Sequence, residues 1–127
     1  MQTTAVIFEK PERIGLQSLD VADPGAGDVV VDAIWSGISA GTEKLLFEGR
    51  MPQFPGMGYP LVPGYETVGR VISAGRDCSS ELEGRLVFVP GARGYHDAAA
   101  LFGASASRLV AAADRVIPIE DDLAREG

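Results

Sequence analysis

The chain has 127 residues, 46% of them apolar and 23% charged, enough for one domain with a buried core. A formal charge of -7 excludes a polyanion partner such as nucleic acid and disfavours an anionic membrane surface, because no basic patch exists to displace counterions. A lone cysteine, Cys78, cannot form an internal disulfide, and no basic segment with an apolar run resembles a leader or a membrane span; the reading is a cytoplasmic protein.

Sixteen glycines and eight prolines divide the chain into short pieces. Thr4 to Phe8 reads as a first strand, closed by Lys10-Pro11. Arg13 to Val21 alternates in part and then meets the turn signal Asp23-Pro24-Gly25. Asp28 to Trp35 is the clearest strand: period-two geometry puts Val29, Val31, Ala33 and Trp35 on one face, with Trp35 at least partly buried. Thr42 to Glu48 is a short helix with Gly49 to end it. The Pro- and Gly-rich stretch from Met51 to Pro63 reads as a loop. Thr67 to Ala74, Arg85 to Val89 and Ser107 to Ala112 read as further strands. Five or six short strands separated by turns predict a small β-barrel or sandwich.

A dinucleotide fold needs strand, glycine turn and helix in that order. Pro24-Gly25-Ala26-Gly27 precedes a strand, and Gly103-Ala104-Ser105-Ala106-Ser107 has no long helix after it. Neither reads as a nucleotide site. The polar end, Asp121 to Gly127, suggests a chain cut at a domain boundary.

The most specific stretch is Pro63-Gly64-Tyr65-Glu66-Thr67-Val68-Gly69-Arg70-Val71-Ile72-Ser73-Ala74-Gly75, spaced G-x-E-x-x-G-x-V-x-x-x-G. It resembles the signature of medium-chain dehydrogenases/reductases, in which G-H-E-x-x-G is usual. Trp35-Ser36-Gly37-Ile38-Ser39-Ala40-Gly41-Thr42-Glu43 is similar to that family's G-I-C-G-T-D region. Gly84 to Val89 falls where G-D-R-V stands, and Ala113 to Ile119 resembles the exit towards the nucleotide domain.

The resemblance implies a mainly β fold: a GroES-like, partly open β-barrel with one or two short helices, spanning residues 1–127. The Rossmann domain of such a protein would lie outside this chain, would hold most of the NAD, and would carry any homo-oligomer contact. A narrower resemblance lies in Val6 to Pro11, Gly41 to Leu46 and Phe54 to Glu66. These are similar to the branch that oxidises the 3-(1-hydroxyethyl) group of a bacteriochlorophyll-type tetrapyrrole to 3-acetyl. The branch implies a tetrapyrrole as the small-molecule partner. Two rivals stand beside it: another zinc-free member, of the quinone or enoyl reductase type, and a non-catalytic GroES-like binding domain.

Catalytic zinc needs three protein ligands and an open position. The resemblance places Ala40 at the family's cysteine ligand and Tyr65 at its histidine ligand, leaving Glu66 alone. The four clustered cysteines of the structural zinc are also missing, so no metal is expected at either place.

Without zinc, other groups must polarise the alcohol and take its proton. Thr42 falls on the family's Ser/Thr that contacts the substrate oxygen; its plainer role is to cap the short helix. Tyr65 could serve as a phenolic acid/base once its ordinary pKa of about 10 is lowered, or pack as an aromatic. Glu66 or Glu43 could be a general base if burial raises its pKa, while Glu66 could equally pair with an arginine. Ser39, Phe54, Met57 and Tyr59 are candidate contacts for a flat macrocycle, against the simpler reading that apolar loop residues pack on their own domain. His96, the single histidine, reads as a solvated side chain, with a proton shuttle as the alternative.

Overall fold

A computed structural model describes residues 1–52, 55, 57–100 and 102–120. The first two strands, β1 (Gln2–Lys10) and β2 (Arg13–Asp20), form an antiparallel hairpin in register from Gln2 opposite Asp20 to Phe8 opposite Ile14. The next strand, β3 (Asp28–Ser36), leads into the short helix α1 (Thr42–Glu48). Gly49 then takes a left-handed φ of 74°, and the Arg50 N–H closes back on the Leu45 carbonyl at 2.9 Å. This is the helix stop expected from the sequence.

Six further strands follow: β4 (Leu61–Val62), β5 (Thr67–Ala74), β6 (Leu86–Val89), β7 (Ala99–Ala100), β8 (Arg108–Ala112) and β9 (Ile117–Pro118). One sheet has the order β8-β3-β5-β6-β9 and the other β2-β1-β4-β7. They meet along β1. Its inner edge is shared between β4, through Phe8 opposite Leu61, and the approach to β8, through an Ala5–Ala106 bridge. The Val6 N–H donates to the Ser105 carbonyl at 2.9 Å and the Ser107 N–H to the Thr4 carbonyl at 2.8 Å. A strand divided between two sheets gives a partly open barrel.

The main core lies between the sheets. Strand alternation supplies it: Ala5 and Ile7 from β1, Val29 and Val31 from β3, Val87 and Val89 from β6. Each is at most 1% exposed. A smaller cluster of Phe8, Leu46 and Leu61 lies under α1 and fixes the helix to the hairpin.

Two expectations need correction. The stretch from Met51 to Pro63 is not all loop, because Leu61 and Val62 form β4 and are fully buried. Trp35 does not share the buried face of Val29 and Val31. The register with β5 slips between Ala33 and Trp35, and Trp35 is 50% exposed; Val30 is buried separately, on the other face with Val21 and Val110. A bulge turns side chains off the face that strict alternation assigns them.

Candidate functional site

Three elements leave a groove of about 730 Å³ between them. On β1, alternation sends Thr4, Val6 and Phe8 to the side opposite the main core. On β2, Ile14 and Leu16 extend this wall, 59% and 75% exposed. The facing wall is the loop and helix from Ser36 to Phe47, in which Ala40, Glu43, Lys44 and Phe47 repeat at helical spacing. Pro63, Ser105 and Ala106 complete the lining. Phe8 and Phe47 join the two walls edge to face, with ring centroids 5.7 Å apart.

The groove is apolar except near the start of α1. Glu43 is only 7% exposed there. The Ser39 N–H donates to its carboxylate, and the Glu43 N–H donates to the Ser39 carbonyl at 3.1 Å. Burial pushes the Glu43 carboxyl above its ordinary value; the Ser39 hydrogen bond opposes this, and the charge of Glu66 adds to it. Glu66 itself is exposed and forms no ion pair among the described residues, so an arginine partner is not found for it. It is held beside Gly37, whose N–H donates to the Glu66 carbonyl at 2.7 Å.

The other sequence candidates disperse around this groove. Ser39 and Ala40 line it, and Ser36 joins them. Thr42 is the first residue of α1 and does not cap it: the cap position is Gly41, with no side-chain cap, and the Thr42 N–H reaches Ser39 Oγ at 3.4 Å. Tyr65 lies outside the lining and packs on Phe102, with centroids 4.8 Å apart. Met57 and Tyr59 pack on the Phe8–Leu46–Leu61 cluster, and the Tyr59 hydroxyl donates to the Leu46 carbonyl. They brace α1 from behind. Phe54 lies outside the described residues. His96 is exposed on the β2 side, with Nδ1 3.5 Å from Asp20 Oδ2.

The residues that sequence reasoning missed are Ile14, Leu16, Ile38 and Lys44. Ile14 and Leu16 carried a signal, the partial alternation of Arg13 to Val21; in the structure every residue of β2 up to Ser18 is exposed. For metal the donor set does not fit: no three of His, Cys, Asp and Glu come together among the described residues, and Ala40 and Tyr65 bring no imidazole or thiolate. For a nucleotide, the described residues hold no glycine turn between a strand and a long helix.

Residues 25–121 match the family described as alcohol dehydrogenase GroES-like domain. The chain belongs to that family. It is therefore the N-terminal, GroES-like type of domain found in medium-chain dehydrogenases/reductases. Over 132 residues it is 48% identical to 2-desacetyl-2-hydroxyethyl bacteriochlorophyllide A dehydrogenase of Cereibacter sphaeroides, and over 128 residues 48% identical to the protein of that name in Rhodobacter capsulatus. Both matches cover 100% of this chain but 41% and 40% of the relatives, so the chain spans about two fifths of their length. Among solved structures, a short chain alcohol dehydrogenase from E. coli CFT073 complexed with NADH superposes at a TM-score of 0.76 and 20% identity, covering 95% of this chain and 39% of that one. That likeness shows the GroES-like fold.

Proposed function

We propose that this GroES-like domain is the substrate-holding part of a zinc-independent dehydrogenase. It oxidises the 3-(1-hydroxyethyl) group of bacteriochlorophyllide a to 3-acetyl, with NAD as hydride acceptor. The observation that carries the reading is the groove: a long apolar surface for a flat ring system, with polar groups gathered at the start of α1. The names of the two 48% identical relatives support the same substrate. In the complete protein, residues 1–127 precede a nucleotide-binding domain, which holds most of the cofactor and any homo-oligomer contact. The protein works in the cytoplasm.

The chemistry asks this chain to orient the alcohol and handle its proton; the nicotinamide supplies hydride acceptance when bound. Thr42 is proposed to hold the alcohol oxygen through its hydroxyl, and Ser39 to contact the substrate beside it. Tyr65, Glu66 and Glu43 are the candidates for the proton. Glu43 has the burial that raises a carboxyl towards the working range of a base, and it faces the groove. Tyr65 is held by Phe102, and Glu66 modulates Glu43 through its charge. Zinc has no part in this reading.

The test is an assay of the full protein with hydroxyethyl bacteriochlorophyllide and NAD, following the acetyl product and reduced nicotinamide together. Stoichiometric formation of both, undiminished after chelation, is the expected result. Reduction of a quinone or enoyl substrate with no alcohol oxidation would replace this reading by the reductase one. Tight macrocycle binding with no turnover would make the domain a binding module.

A further inference from the structure

We propose that Lys44 determines specificity in the groove: its ammonium pairs with a peripheral carboxylate of the macrocycle, so the site takes the free acid rather than an ester. This rests on the function proposed above and names the contact that would select the substrate.

Glu43 and Lys44, consecutive on α1, both line the groove. They are the two charged residues of the lining, and they behave differently. The Glu43 carboxylate is largely buried, 7% exposed, and accepts from the Ser39 N–H. Lys44 is exposed, with no ion pair among the described residues. The accessible charge of the groove is therefore positive, on a chain whose formal charge is -7. An anionic ligand is repelled by most of this surface and finds its cation here.

The rest of the groove fits the body of such a ligand. Ile14, Leu16 and Ile38 are 59%, 75% and 83% exposed, an open apolar surface of the kind that a ring face covers. A tetrapyrrole acid joins a broad apolar ring to a carboxylate on a flexible arm, which an ammonium on a four-carbon stem can follow. Esterification removes that charge and adds bulk.

The experiment measures binding of two soluble probes to the full protein by fluorescence quenching: pheophorbide a and its methyl ester. Wild type should bind the acid more tightly by a factor on the order of five, the scale of an exposed ion pair, and high salt should erase the difference. Lys44→Gln should lose the preference while keeping its affinity for the ester, and Lys44→Arg should retain it. Equal wild-type affinity for acid and ester, or a preference that survives in Lys44→Gln, would overturn the role of Lys44 and leave the macrocycle site standing. Failure of wild type to bind either probe would overturn the substrate reading and this inference together.

Discussion

Gly64 runs against Ser105: with φ at 104°, a Cβ on Gly64 would lie 2.7 Å from the Ser105 backbone nitrogen. Two hydrogen bonds hold the segments there, from the Ala104 N–H to the Gly64 carbonyl and from the Ser105 N–H to the Pro63 carbonyl, each 2.9 Å. Ser105 in turn accepts from Val6, so one crossing ties together the signature segment, the approach to β8 and β1.

Gly64→Ala should therefore be costly. Backbone strain at this φ and the collision with Ser105 act together, and a loss of about 2–4 kcal/mol is expected. Urea unfolding of the full protein reads it. A loss below about 1 kcal/mol would mean that the crossing can open without harm.

Tyr59→Phe tests the brace behind α1. It removes the hydroxyl that donates to the Leu46 carbonyl while keeping the ring in the Phe8–Leu46–Leu61 cluster. Stability should fall by about 1 kcal/mol, with little change in macrocycle affinity. A selective collapse of affinity at unchanged stability would instead make Tyr59 a direct contact.

Glu43 gives stability a particular pH dependence. Its folded carboxyl titrates above the ordinary 4.5, chiefly because it is buried. Between the unfolded and folded values the folded state holds more protons, so stability falls as pH rises through this window. Glu43→Gln keeps an acceptor for the Ser39 N–H and should remove this contribution, gaining stability relative to wild type above the window. Parallel curves of stability against pH for the two proteins would show that the carboxyl is not raised.

Thr42→Val should lower kcat more than it weakens macrocycle binding. A hydroxyl aimed at the reacting oxygen gains strength as that oxygen becomes alkoxide-like, and its loss costs about 2–4 kcal/mol of transition-state stabilisation. Because the helix carries no side-chain cap from Thr42, the melting temperature should stay nearly constant. An unchanged kcat would remove Thr42 from the mechanism.

The sequence carried the six longer strands and the helix because each is a local pattern: alternation, a glycine stop, a turn dipeptide. The two-residue strands were hidden. Leu61 opposite Ala99 is a pairing of segments far apart in the chain, and neither contains enough residues to show a period. Trp35 was misplaced because a bulge is set by the partner strand, here where Ala33 and Trp35 face Gly69 and Val68. The groove was harder still. Ser39 and Glu43 were noticed through the resemblance, whereas Leu16 and Lys44 become neighbours of one surface only when the hairpin meets the helix. Met57 and Tyr59 were apolar in an open-looking loop, and nothing local announced that they would fold back onto Leu46.

The division of β1 between two sheets also sets a schedule. Thr3 Oγ1 donates to the Arg108 carbonyl at 2.8 Å, across 105 residues of chain. On the ribosome the hairpin emerges well before Ser105 to Arg108, yet its inner edge is completed only after those residues have been made. Closing so long a loop makes assembly slow, and a translation product arrested near residue 100 would present that edge bare, beside the exposed Ile14 and Leu16. The edge of β1 thus waits for a segment made about a hundred residues later, and it marks a place where nascent chains of this protein are open to aggregation.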